Sequence, residues 1–450
     1  MSVVNKNNLK KTLYYIQRNG IKKTWFAVWE RLFEAKKQHY TYREPDEALL
    51  CGLRESGLSA GKISILVPAY ETKPEYLAAL IESVLAQTYS NWELVIADAS
   101  RDYSVQNDFS SGPQSIRPRT IVSEVVRKYD DERISYHHLA KNYGIAGNTN
   151  AGLAFVNGEY TALLDHDDLL TKDALSRMAS AIETYPEGVL FYSDEDKCNG
   201  DASEFFEPNY KRDFDKEQLL TNNYLCHLSV FRTDVLKQLR LSEAYEGSQD
   251  FKLVLDVLSY VEEKGQKPEN YIIHVPYVLY HWRWHTGSTA ANPKSKQYAY
   301  EMGRKAIQDY CDAKGYHARV TQQEHVGHYY VEYEQDEFTA REEFGAVCNY
   351  QYKRGRIAGG PLLKDGSVEF LRMRRGYLGY MCLAASQHTV AAATFSSMTI
   401  RPSLEAEVLA ALAESGLTDD IGKGQFVCTF LQSKGYKIVC DPRWHKTQPS

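Results

Sequence analysis

Between Ile63 and Asp196 the chain repeats one pattern: a short apolar run, a stop, then a helical stretch. Ile63-Ser-Ile-Leu-Val67 stops at Pro68-Ala69-Tyr70-Glu71, and the run Trp92 to Ala97 stops at Asp98. The run Tyr160 to Leu164 stops at Asp165-His166-Asp167-Asp168, and Val189 to Ser193 stops at Asp194-Glu195-Asp196. Apolar runs without alternation fit strands buried on both faces. Ile134-Ser-Tyr-His is a further strand. Helices are predicted over Tyr76 to Gln87, Ile121 to Lys128 and Ala151 to Val156, with a loop at 101–120 and a stretch rich in Gly and Asn at 142–150. Strands alternating with helices predict a parallel, right-handed βαβ sheet. Such sheets take their ligands beyond the carboxyl ends of the strands, where these acids lie.

Asp165 and Asp167 are two apart, so an extended backbone would point both to one side. Two hard oxygen ligands suit Mg²⁺ or Mn²⁺, with substrate phosphates completing the shell. The competing reading is a solvated acidic turn that caps a helix starting near Leu170. The topology is that of a nucleotide-binding sheet, but neither G-x-G-x-x-G nor G-x-x-x-x-G-K-[ST] is present. A nucleotide would instead rest on Asp98 and Asp165, which can accept hydrogen bonds from base and ribose. A metal on Asp167 would hold its diphosphate.

Two later stretches carry chemistry. Glu246-Gly-Ser-Gln-Asp250 leads into a helix over Phe251 to Leu258. Asp250 is either a first-turn acid satisfying the helix end or a general base at the mouth of the site. The strand region Ile272 to Tyr280 ends in His281-Trp-Arg283-Trp-His285, followed by Gly287-Ser288. Two His and an Arg beside a Gly-Ser turn fit a metal and phosphate site.

Residues 1–43 hold ten Lys/Arg against two Glu. Ile21, Trp25, Val28, Trp29 and Leu32 fall on one helical face. Such a helix either lies on an anionic membrane or packs its Trp face on the main domain. The net charge of −6 gives no reason to expect nucleic acid. The eight Cys are scattered without a C-x-x-C pair, which argues against a zinc site or disulfide framework and fits a reducing cytosol. No apolar run approaches the 18 or so residues of a membrane span.

The strings ISILVPAYET, LLDHDDLL, YSDEDK, EGSQDF and LYHWRWHTGSTA occur in this order. Together they resemble the family 2 inverting glycosyltransferases of the GT-A fold, in the bacterial subgroup that builds rhamnan, O-antigen and other cell-surface polysaccharides. The resemblance implies an α/β fold, a mostly parallel sheet flanked by helices. It implies that Pro68, Ala69, Tyr70, Glu71 and Asp98 hold the nucleobase side, and that Asn150, Asp165 and His166 lie along ribose and diphosphate. Asp167 would ligate Mn²⁺ or Mg²⁺ with His281 or His285, and Arg283 and Ser288 would face the diphosphate. Asp250 would be the catalytic base, and Asp194, Glu195 and Asp196 would lie near the sugar and acceptor.

The implied partners are a nucleotide-diphosphate sugar and a lipid-linked glycan. Peripheral contact with the cytoplasmic membrane face through 1–43 and a homodimer complete the picture. The rival from another class is a glycan- or nucleotide-sugar-binding scaffold without catalysis. The expected division is a helical extension over 1–60, a catalytic domain over 61–315 and a smaller α/β appendage over 316–450. In that appendage FGAVCNYQYKRGRIAGG and LQSKGYKIVCDP resemble the end of a second, degenerate GT-A module.

Overall fold

The computed structural model describes residues 40–103, 118–284, 297–325 and 327–444, with Ile16, Gly20, Ile21, Thr24, Trp25 and Val28 of the amino-terminal segment. The chain forms two units. One holds 1–213 and 225–302, the other 214–224 and 303–450. The division thus falls at 302 rather than 315, and the short segment Phe214–Tyr224 goes with the carboxy-terminal unit. Residues 40–60 belong to the first unit.

The first unit is built on a nine-stranded sheet. Its strands are β1 (Ile63–Ala69), β2 (Trp92–Asp98), β3 (Ile134–His138), β4 (Tyr160–Leu163), β5 (Leu169–Leu170), β6 (Leu190–Cys198), β7 (Phe205–Asn209), β8 (Ser229–Arg232) and β9 (Ile272–Arg283). Their order is β3-β2-β1-β4-β8-β6-β9-β5, with β7 on β6. The pairings run β1, β2, β3, β4, β6 and β9 one way and β5, β7 and β8 the other. The sheet is therefore mostly parallel, as expected, with β8 inserted antiparallel at its centre.

β1 sits inside because its residues Ile63, Ile65, Leu66 and Val67 are fully buried, on both faces. Full burial of each such side chain contributes about 1.5–3 kcal/mol. The helix Pro74–Leu85 starts on a Pro at its first turn, which needs no backbone donor there. It buries Tyr76, Leu77, Leu80, Ile81 and Val84 along one stripe.

One expected helix is displaced. The helix spans Gly144–Gly152 and not Ala151 to Val156. Its small residues are needed because it lies close on the sheet: a β-carbon at Gly152 would come within 2.6 Å of Leu66 Cδ1 and 3.0 Å of Ala97 Cβ. Close packing overrides the poor helix propensity of Gly and Asn.

In the second unit, strands Phe344–Cys348, His388–Thr389, Met398–Ile400 and Lys437–Cys440 form one sheet, with Phe344–Cys348 parallel to Lys437–Cys440. Helices Pro402–Glu414 and Asp420–Ser433 pack on it around Val408, Val427 and Leu431. Among the described residues no helix is long and apolar enough to cross a membrane. In the amino-terminal segment Ile21 is 75% and Trp25 60% exposed, while Thr24 is buried. At these positions the apolar face does not pack inward; Trp29 and Leu32 lie outside the described residues.

Candidate functional site

The acidic stop after β4 is a turn, not an extended run. Asp168 N–H donates to the Asp165 carbonyl at 3.1 Å, so Asp165 and Asp167 do not share a strand face. The turn closes because its last acid is anchored. Asp168 is buried, and its carboxylate accepts from Tyr280 Oη at 2.5 Å and from the Arg283 backbone N–H at 2.7 Å. Burial, with the Asp167 and Asp165 charges beside it, pushes the Asp168 carboxyl well above its usual range. Arg283 grips the same turn: Nε donates to the Asp167 carbonyl and Nη1 to the Gly200 carbonyl, both at 2.6 Å. That leaves the Asp165 side chain 54% exposed, with Asp167 half-buried beside it.

Opposite Asp165 stands His227, its Nε2 3.7 Å from Asp165 Oδ2. His227 also meets Glu195, with Nδ1 3.2 Å and its backbone N–H 2.6 Å from Oε2. The Lys211 ammonium lies 3.8 Å from the same carboxylate and donates to the His227 carbonyl at 2.5 Å. The imidazole stacks on Tyr280 at 4.9 Å between ring centres. One residue back, Cys226 Sγ donates to Asp250 Oδ2 at 3.3 Å. Asp250 is in the first turn of the helix Gln249–Glu263. Asp165, Glu195, His227, Lys211, Cys226 and Asp250 therefore lie in one cluster, all but Glu195 from outside the strands.

Burial opposes charge on Glu195, but Lys211 and His227 outweigh it and hold the carboxyl at about 2. Burial would likewise lower His227, yet Glu195 and then Asp165 raise it to about 9. Linkage follows from these directions. The raised His227 stabilises the fold fully below its ordinary value of 6.5, and the gain is lost as pH climbs through about 9. The depressed Glu195 stabilises fully above 4.5, and its gain is lost as pH falls toward about 2. His227→Gln is expected to flatten the alkaline fall in stability between these His values. Urea unfolding across pH checks this, and equal alkaline slopes in wild type and variant would count against the pair.

The acidic string Asp194-Glu195-Asp196 does not end β6 but lies within it, across two register shifts against β9. Glu195 alone of the three joins the cluster. Asp194 is buried and turned to His274 Nε2 at 2.9 Å and the Lys211 backbone N–H at 2.8 Å. Asp196 pairs with His281 Nδ1 at 2.5 Å and accepts from Tyr40 Oη at 2.6 Å. Glu195 and Tyr280 are register partners, as are Asp196 and His281, and successive strand residues leave on opposite faces.

Several expected donor-site residues have structural partners instead. His281 is buried, with its ring between Tyr42 and Phe205 at 4.5 and 4.4 Å, so it is no open metal ligand. His285 and Ser288 lie outside the described residues. Arg283 is only 2% exposed and holds the acidic turn through Nε and Nη1, while its Nη2 has no hydrogen-bond partner among the described residues. Asn150 exchanges both ends of its carboxamide with the Leu241 backbone, at 2.7 and 2.9 Å. Asp98 is fully buried and accepts from Ser100 N–H, Thr120 Oγ1 and Tyr136 Oη at 2.6–2.8 Å.

Of the β1 end, Ala69 is buried and Pro68 half-buried, while Tyr70 is exposed. Glu71 has a left-handed φ of +48° and accepts from the Arg101 N–H at 3.0 Å. His166 is half-buried, and its Nδ1 has no partner among the described residues.

Asp165, exposed, and Asp167, half-buried, put two carboxylates on one turn. That fits a hard divalent ion which takes one or two protein carboxylates and completes its shell from substrate phosphates. His227, Lys211 and Tyr280 were not legible as site residues. His227 carries only the hint of sitting beside a Cys ahead of a strand, and Lys211 lies in an unremarkable charged stretch.

Residues 64–107 and 115–240 match the family model described as glycosyl transferase family 2. Over 238 residues the chain is 30% identical to the UDP-Glc:alpha-D-GlcNAc-diphosphoundecaprenol beta-1,3-glucosyltransferase WfaP of Escherichia coli, covering 51% of this chain and 80% of that one. It is 34% identical over 251 residues to the uncharacterised protein y4gI of Sinorhizobium fredii, covering 55% of this chain and 25% of that one. With the O-antigen biosynthesis protein RfbC of Myxococcus xanthus it shares 27% identity over 263 residues, 58% of this chain and 19% of that one. The chain thus spans a quarter or less of the length of these last two relatives. The solved structure of S. aureus TarS 1–349 with UDP aligns at TM-score 0.38 and 19% identity, over 55% of this chain and 65% of that one.

Proposed function

As a chain that belongs to glycosyl transferase family 2, it transfers, we propose, a sugar from a nucleotide-diphosphate donor to a hydroxyl of a bacterial surface glycan, inverting the anomeric carbon. The observation that carries this reading is the meeting of the Asp165–Asp168 turn with Asp250, through His227 and Cys226. A donor site and a proton acceptor are what one displacement needs, and no second nucleophilic carboxylate is required.

Asp250 takes the proton of the acceptor hydroxyl as that oxygen bonds to the anomeric carbon. The bond from this carbon to the diphosphate oxygen breaks, and its electron pair leaves with the nucleoside diphosphate. Asp165 and Asp167 would hold Mn²⁺ or Mg²⁺, which when bound supplies charge relief to the leaving diphosphate. Glu195, Lys211 and His227 keep Asp165 oriented. Tyr70, exposed just past β1, and the half-buried Glu71 beside it would meet the base. The acceptor we propose is lipid-linked, by analogy with the diphosphoundecaprenol named for WfaP. The basic, Trp-bearing segment 1–43 would bring the chain to the cytoplasmic membrane face.

The test is transfer from UDP-, dTDP- and GDP-sugars to lipid-linked acceptors, with product configuration read by NMR. Release of nucleoside diphosphate with an inverted linkage is expected. A retained linkage would overturn inversion, and donor binding without turnover on any acceptor would favour the scaffold. Asp167→Ala is expected to remove the metal-dependent part of donor affinity, measured by calorimetry; unchanged Mn²⁺ affinity would move the metal elsewhere.

A further inference from the structure

The carboxy-terminal unit gathers two imidazoles and a thiol from separate elements. Strands Ala318–Gln322 and Tyr329–Tyr333 pair antiparallel, with Gln322 opposite Tyr329. His325 and His328 lie on the loop that joins them. The loop is closed by Gln323 N–H on the His328 carbonyl at 2.8 Å and His328 N–H on the His325 carbonyl at 3.3 Å. Gly327 takes a φ of +79° there, a conformation that favours glycine. Gln323 Nε2 donates to the Tyr329 carbonyl at 2.6 Å and clamps the loop to its own strand. The two rings stand 4.9 Å apart and cross at 68°, so they do not stack.

The thiol comes from elsewhere in the same unit. Cys382 lies in the 3₁₀ turn Tyr380–Ala385 and is buried. Its φ is +59°, a left-handed conformation that is uncommon and strained for a non-glycine residue. One donor atom from each of His325, His328 and Cys382 lies within 4.8 Å of the others. Among the described residues this is the one such group of three metal-ligating side chains.

We propose that His325, His328 and Cys382 bind a zinc ion, with water in the fourth position. Imidazole and thiolate are the ligands that Zn²⁺ selects, whereas Mg²⁺ and Mn²⁺ prefer carboxylates and water. Zinc bonds of about 2.0–2.1 Å to nitrogen and about 2.3 Å to sulfur place tetrahedral donors some 3.3–3.7 Å apart. The three donors, within 4.8 Å of one another, would have to draw in to that spacing when the ion binds. The bound ion would tie the hairpin loop to the 380–385 turn and hold Cys382 in its strained conformation. The scattered cysteines conceal such a site, because its spacing is H-x-x-H with a thiol far along the chain. The inference is independent of the glycosyltransferase reading, since it uses other residues and a softer ligand class.

The test uses the full chain, stripped of metal by a chelator and titrated with Co²⁺ and then Zn²⁺. A thiolate-to-cobalt charge-transfer band saturating at one equivalent and displaced by Zn²⁺ is expected. The carboxylates of the Asp165–Asp168 turn can bind Co²⁺ but give no such band. Cys382→Ser should remove the band and Cys51→Ser should keep it. His328→Gln should weaken Co²⁺ by more than the roughly 10–100-fold that loss of an outer partner costs. If Cys382→Ser fails to fold, mass-spectrometric mapping of wild-type alkylation decides: Zn²⁺ should protect Cys382 selectively. No charge-transfer band, a band that survives in folded Cys382→Ser, or alkylation of Cys382 unaffected by Zn²⁺ would overturn the proposal.

Discussion

Asp250→Asn is expected to lower sugar transfer by about 10²–10⁴-fold, the usual contribution of one positioned general base. At about 1.4 kcal/mol per tenfold, that is roughly 3–5.5 kcal/mol of transition-state stabilisation. The substitution keeps size, and the Asn carbonyl can still accept from Cys226 as Asp250 Oδ2 does at 3.3 Å. What it removes is the basic oxygen. On the role proposed for Asp250, as base to the acceptor hydroxyl, donor binding should stay close to wild type. The thermal midpoint should also stay close. Turnover within a few-fold of wild type would remove Asp250 as the base, whatever else the site does.

The largest effect on stability is expected in the other unit. Arg341 is buried and donates through Nη1 and Nη2 to both oxygens of Glu217, itself buried. Nη1 also reaches Tyr333 Oη at 2.8 Å, while Nη2 and Nε reach Glu343 Oε1 at 2.7 and 3.0 Å. Burial opposes the Arg341 charge, but Glu217 reverses this and raises it well above its ordinary value. Arg341→Met keeps apolar bulk but leaves Glu217 buried without a partner. Breaking a buried pair in this way costs about 3–5 kcal/mol. Adding Glu217→Gln should recover a good part, because the uncompensated charge goes with it. Urea unfolding of the full chain reads both variants. A cost below about 1 kcal/mol for Arg341→Met would mean that Phe214–Tyr224 is not held in this unit by the ion pair.

The sequence legible in this fold is its apolar alternation with turns. Ile63–Ala69 and Trp92–Asp98 read as strands because burial on both faces demands unbroken apolar runs. Gly144–Gly152 did not read as a helix, because what selects its glycines is the distance to Leu66 and Ala97, a contact far apart in sequence. The acidic string in β6 looked like a single patch. Strand alternation and two register shifts send Asp194, Glu195 and Asp196 to different partners, and no local pattern announces a register shift.

The site residue types were legible more than their roles. A polar side chain that holds a loop and one that holds a ligand leave the same mark in a sequence. Asn150, Asp98 and Arg283 are of the first kind here, each engaged by backbone or buried hydroxyls. Lys211 and His227 were missed for the converse reason. Their importance arises from Glu195 and Asp165, which meet them only in the folded chain. Tyr40 belongs with them, since it reaches Asp196 from a stretch read as a separate extension.

The most direct measurement is a calorimetric titration of UDP, dTDP and GDP into the full chain, with and without Mn²⁺. Binding of one nucleoside diphosphate that requires Mn²⁺ and is lost in Asp167→Ala is the expected result. A folded chain that binds none of the three with Mn²⁺ present would contradict a donor site at the Asp165–Asp168 turn.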